Sequence, residues 1–289
     1  MAEELEPDEV IALVFEECIY DDIRPKAFHK ILYFVDKELE REHLSADLPI
    51  FWYMYGAVVA TSDTAATFDN ADDGTTVECS ITASDIDASE NVIRRGRRAV
   101  NRSLDRYYDG GIEGLTDEMY DEAPYEVQRH YRRLDEQLEA AADKGQMTLD
   151  GGKNEKRTRE TLYNFIEAFP EDEFPEFSDD LSIWYRLMSA DLDSEDYDPD
   201  RAQDLAEDFW RLFCLELACR ENNGLSREDI ARELKGVSNV ENAKQRIRGE
   251  FLEKERKKAR ENSQGDETAL KAAEALVIPH LDFTVARNV

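Results

Sequence analysis

Two short stretches concentrate side chains of the kind that contact phosphate oxygens and base edges. Between Ile93 and Arg106 the chain places Arg94, Arg95, Arg97, Arg98, Arg102 and Arg106 against a single acid, Asp105, a local balance of +5. Between Lys244 and Arg260 eight cations face Glu250, Glu253 and Glu255, again +5. Arginine forks grip phosphate or carboxylate through paired hydrogen bonds, so each stretch has two readings. It can contact nucleic-acid phosphates or an acidic partner protein. It can equally pair with carboxylates of its own chain and complement helix C-termini.

The second stretch carries its own positioning elements. Ser226-Arg227-Glu228-Asp229 and Ser238-Asn239-Val240-Glu241 both have the capping-box pattern, which predicts helices starting near 227 and 239 with Gly236 between them. Ile230, Ala231, Leu234 and Val237 supply a shared core. Two short helices about a glycine turn make a helix-turn-helix layout, whose second helix presents Asn239, Asn242, Lys244, Gln245, Arg246 and Arg248. Upstream of the first stretch, β-prone residues in 65–69 and 75–81 flank Ala71-Asp72-Asp73-Gly74, a hairpin signal. Helices followed by a hairpin is the order of a winged helix. Asp85 or Ser89 can cap the arginine-bearing helix, expected to run to about Tyr108 over the apolar stripe Val92, Ile93, Val100 and Leu104.

Catalysis has no comparable signature. There is no nucleophile elbow, Walker, Rossmann or paired-histidine metal motif, and Gly151-Gly152-Lys153 lacks the glycine spacing of a phosphate loop. Cys18, Cys79, Cys214 and Cys219 fit no zinc pattern, the four histidines do not gather near them, and the cysteines read as reduced, buried hydrophobes. Asp191 to Asp200 holds six acids and reads as a solvated loop, with a hydrated cation as the alternative. In a chain with 67 acids a carboxylate pair means nothing alone. No residue is marked as catalytic, cofactor-binding or metal-binding, and the expectation is a protein that is not an enzyme.

The net charge of -31 is spread along nearly the whole chain, with 24 arginines to 12 lysines. This composition resembles that of haloarchaeal proteins. Carboxylates keep surfaces hydrated in a high-salt cytoplasm, where the Debye length falls to about 3 Å at 1 M. The acidity then describes the solvent more than the function. No run approaches the length of a membrane span and the first residues lack a signal-peptide core, so a soluble cytoplasmic protein with no membrane partner is expected.

The stretch from Ala27 to Val59 is the most apolar and must organise the rest. Phe28, Ile31, Leu32, Val35 and Leu39 recur at helical spacing behind a first-turn Pro25. Leu48 to Val59, apolar nearly all round, reads as a second helix at the centre of a domain, with Trp52 and Tyr55 joining Ile31 and Val35 in one core. Lys30-Ile31-Leu32-Tyr33-Phe34-Val35-Asp36, followed by Tyr53-Met54-Tyr55-Gly56-Ala57-Val58, resembles the Panacea (SocA-like) domain. The resemblance spans about 35 of 289 residues, and Ala57 stands where the family prefers proline. It implies an antitoxin-like module that neutralises a partner protein, a toxin, by direct contact.

Further helices are expected over Asp8 to Cys18, Thr116 to Ala142 with an interruption at Pro124, Thr161 to Phe169, Leu181 to Ala190, Arg201 to Glu221 and Thr268 to Val277. Gly110, Gly111 and Gly114 should break the chain before Thr116. Lys144 to Arg157 reads as a linker. The expected architecture is mainly α in two helical domains, 1–143 with a β-hairpin and winged-helix-like, and 158–289 with the helix-turn-helix. The expected function is a non-catalytic regulatory or antitoxin-like binding protein. Its alternative is a DNA-binding regulator.

Overall fold

The computed structural model describes residues 3–71, 74–144, 151–194 and 197–262. The chain is mainly α. In order, its elements are β1 (Glu3–Glu4), α1 (Pro7–Glu17), α2 (Pro25–Arg41), β2 (Leu44–Ser45), β3 (Ile50–Tyr53), β4 (Gly56–Val59), β5 (Ala66–Ala71), β6 (Gly74–Cys79), α3 (Glu90–Asp121), α4 (Glu126–Lys144), α5 (Gly151–Glu167), α6 (Ser178–Leu192), α7 (Pro199–Arg220), α8 (Arg227–Glu233) and α9 (Val240–Asn262). They form two compact units, one of residues up to Arg133 with Trp210–Ala243, the other of Leu134–Phe209 with residues 244–262. Neither boundary falls in 144–157. Within that expected linker, 151–157 are the first turns of α5 and 145–150 lie outside the described residues.

In the first unit α2 starts at Pro25 and buries Phe28, Ile31, Leu32, Phe34, Val35 and Leu39, the spacing that the sequence predicted. The apolar run that follows is not a helix. Ile50–Tyr53 pairs antiparallel with Gly56–Val59, and Tyr53 lies opposite Gly56 across the two-residue turn Met54-Tyr55. Aromatic and β-branched side chains suit the pleat. Gly56 sits at φ +116°, and a Cβ there would stand 2.5 Å from Met119 Sδ. Phe51 and Trp52 are buried as expected, but Tyr55, at the turn, is 50% exposed and outside that core. The indole of Trp210 and the hydroxyl of Tyr120 both donate to the Met54 carbonyl, at 2.9 and 3.2 Å.

The expected second hairpin is present, with Ala66 opposite Cys79 and Ala71 opposite Gly74; residues 72–73 of its turn lie outside the described residues. Val77 N–H donates to Ile23 O at 2.9 Å, which ties β6 to the loop between α1 and α2. Ser89 caps α3 by accepting from Val92 N–H at 3.3 Å. As expected, the helix is broken at the glycines: Gly111 is non-helical (φ +63°, ψ -165°) and divides α3 into two helical parts, the second reaching Asp121. The expected helix over Thr116 to Ala142 falls on α3 and α4 on either side of Pro124.

The second unit is an aromatic core. Trp184 stacks on Phe209 at 4.8 Å, Phe165 lies 5.0 Å from Trp184, and Trp184 Nε1 donates to Leu205 O at 3.0 Å, which satisfies the one polar atom of that indole. Asp191 corrects the expectation of a solvated acidic loop. It belongs to α6, is 4% exposed and pairs with Arg201, while residues 195–196 lie outside the described residues. The expected helix at Thr268 to Val277 also lies outside them. No helix among the described residues is long and apolar enough to cross a membrane.

Candidate binding surface

The first arginine stretch lies on α3, and most of it is spent within the chain. Arg95 pairs with Glu3 and donates through Nε to the Glu42 carbonyl at 3.1 Å. Arg97 meets Glu16 at 2.7 Å and Glu17 at 3.3 Å, and Arg98 meets Glu42 at 2.6 Å. Arg102 reaches Glu42 at 3.0 Å and Glu38 at 3.4 Å. Arg106 reaches Glu38 at 2.8 Å and Glu118 at 3.2 Å. Glu38, nearly fully buried, is thus held by Arg41 of its own helix and by Arg102 and Arg106 of α3, which add polar ties between α2 and α3. The hydrogen bond from Arg98 holds the Glu42 carboxyl below its usual range. Arg94, exposed and bonded to Asn91 at 2.8 Å, makes no ion pair among the described residues.

The second stretch has the expected two helices and turn, with changes in detail. Ser226 and Asp229 form the capping box of α8, Asp229 N–H donating to Ser226 Oγ at 3.2 Å. The next cap is Asn239, whose Oδ1 accepts from Asn242 N–H at 3.0 Å, and Ser238 does not fill that role. Asn239, Asn242, Gln245 and Arg246 are exposed. Lys244 and Arg248 are not available as the sequence expected. Lys244 is 4% exposed with its ammonium over the Phe177 ring, and Arg248 lies 2.8 Å from Asp180.

Three strongly displaced titratable groups stand on α2. Burial lowers His29 to about 4 and Lys30 to about 8, and burial with the nearby Glu40 raises Asp36 to about 6. His29 Nδ1 accepts from Val59 N–H, and Lys30 Nζ donates to Tyr55 O at 2.8 Å beside Met119 Sδ. Asp36 lines a cleft of about 500 Å³ with Glu40, Asp47 and Asn223. None of the three groups is hydrogen-bonded to a hydroxyl or thiol that it could activate. No cluster of ligating side chains able to hold a metal ion occurs among the described residues. All four cysteines are free thiols, and only Cys214 is fully buried.

What remains is an apolar surface that the sequence reading missed. Ile19 and Tyr20, in the loop after α1, are 71% and 49% exposed. The loop is tied at both ends: Ile19 N–H donates to Tyr108 Oη at 2.9 Å, and Ile23 O accepts from β6. The Tyr20 ring stands edge-on to Tyr107 and Tyr108 at 5.9 and 5.5 Å, and those two lie 6.0 Å apart. Burial raises the Tyr108 phenol to about 12. The only signals in the sequence are a tyrosine pair separated by Asp109 from two glycines and an isoleucine-tyrosine pair directly before two aspartates. No family model, curated protein or solved structure matches the chain.

Proposed function

We propose that the chain is a non-catalytic, antitoxin-like binding protein of a high-salt cytoplasm, which holds a partner protein through its first unit. The observation that carries this reading is the Ile19–Tyr20 loop propped outward on Tyr107 and Tyr108. An aliphatic side chain left 71% exposed beside three tyrosines is the composition of an interface. The resemblance of Lys30 to Asp36 and Tyr53 to Val58 to the Panacea domain points the same way. The test is affinity capture from a lysate in molar salt with the intact chain and with Ile19→Asp/Tyr20→Ser. A protein retained by the first and lost by the second supports the reading. An unchanged set of retained proteins overturns it.

A second reading, a DNA-binding regulator, is favoured by Asn242, Gln245 and Arg246, which stay exposed on α9 behind a capped α8 and a glycine turn. The hairpin is less suited to serve as a wing, because Asp69 and Glu78 give it acidic side chains. If this reading holds, Asn242→Ala and Arg246→Ala change which duplex is preferred more than they change non-specific affinity. Equal binding to every duplex, or none at any salt, removes it.

A further inference from the structure

We infer that the Ile19–Tyr20–Tyr107–Tyr108 surface receives a cationic segment of the partner protein, bearing arginine or lysine side chains that lie on the tyrosine rings; this rests on the reading of that surface as the binding site. Three observations converge. The first is the charge around it. Asp21 and Asp22 follow Tyr20 in the loop, and Asp105 and Asp109 bracket the tyrosine pair on α3. All four are exposed and make no ion pair among the described residues, whereas Glu3, Glu16, Glu17, Glu38 and Glu42 are all neutralised by the arginines of α3. The change falls at Arg106, because no cation follows in sequence until Arg129.

The second observation is how this unit treats its other rings. Lys37 lies over Tyr33 at 4.9 Å, Arg106 over Phe34 at 5.1 Å and Arg132 over Tyr120 at 5.3 Å. No cation lies over Tyr20, Tyr107 or Tyr108 among the described residues, so the negative ring faces and the carboxylates present one unpaired field. The third is the bare backbone beside them. A Cβ at Gly110 or Gly114 would meet nothing within 4 Å, so no contact inside the chain requires either glycine. Gly114, inside a helical part of α3, costs about 1 kcal/mol relative to alanine, and what the two glycines leave open is room for another chain to come close. A second copy of this protein is a poor occupant, since it brings the same carboxylates to the same face.

The test titrates the full chain in 1 M salt with a fluorescent peptide of repeating leucine and arginine, beside one of leucine and glutamine. The arginine peptide should bind more tightly, and its affinity should fall about tenfold in Tyr20→Ser/Tyr107→Ser and in Asp21→Asn/Asp22→Asn. The second variant alters only exposed groups, so it reports even if removal of the half-buried Tyr107 ring loosens the fold. Asp204→Asn/Glu207→Gln removes the same charge from exposed positions on α7 and should change nothing. Equal losses in all three variants, or equal binding of the two peptides, overturns the inference. The same variants applied to the captured partner separate the two claims. Release by loss of the rings without release by loss of the charges leaves the binding surface standing and removes the cationic occupant. Release by neither removes both.

Discussion

The Lys30 ammonium donates to the Tyr55 carbonyl at 2.8 Å, and Lys30 itself is only 4% exposed. Its other neighbour is the Met119 thioether, and no carboxylate compensates it; the fields of Arg132 and Lys26 add to the effect of burial. The folded chain therefore holds this amine at about 8 against an ordinary 10.5. Between those pH values the unfolded chain binds the extra proton, so this group makes stability rise as pH rises from about 8 to 10.5. Lys30→Met should raise the melting temperature at pH 7 and flatten that rise. Thermal melts of both proteins across this range check it, and a variant less stable at pH 7 contradicts it.

Asp36 and His29 should move stability in opposite senses at lower pH. Asp36 is raised from 3.8 to about 6, so the folded chain keeps its proton longer and stability falls as pH rises through that interval. His29 is lowered from 6.5 to about 4, so the unfolded chain takes the proton first and stability rises with pH over that window. Asp36→Asn should stabilise the chain at pH 7 and remove the falling part of the profile. A profile unchanged by Asp36→Asn would count against this placement of the carboxyl.

Glu38 should matter far more than the arginines it holds. Three guanidinium groups converge on its nearly fully buried carboxylate, so Glu38→Gln should cost about 1 to 3 kcal/mol by the usual worth of charged hydrogen bonds. Arg102, one of those three, is about half exposed, and Arg102→Gln should cost less than about 1 kcal/mol. Urea denaturation at matched salt compares them. Equal losses would mean that the pairing of α2 with α3 is not carried by Glu38.

The helix starts give a sharper test of local structure. Asn239→Ala should cost about 1 kcal/mol, as should Ser226→Ala, while Ser238→Ala should be close to neutral. The reverse order for Ser238 and Asn239 would restore the cap that the sequence pattern suggested.

These outcomes also show which features could be read without coordinates. The periodic runs of α1, α2 and α7, the Ser89 cap and the hairpin of β5 and β6 are local patterns, and each formed where it was expected. Ile50–Tyr53 was misread because four consecutive apolar residues have no period that separates a buried strand from a buried helix. The arginines of α3 could not be assigned because their carboxylates lie far away in sequence: 81 residues separate Arg97 from Glu16, and 56 separate Arg98 from Glu42. Tyr108 meets Ile19 across 89 residues, so the apolar surface exists only once the chain has folded.

The central claim is that a partner protein sits on Tyr20, and photo-crosslinking in the producing cells tests it most directly. A photoreactive phenylalanine analogue placed at the position of Tyr20 is compared with one at Tyr163, a tyrosine of similar exposure in the second unit, 54% against 49%. The expected result is one discrete adduct of higher mass from position 20 and none from position 163. Adducts of equal yield from both positions, or no adduct from position 20, would contradict the account.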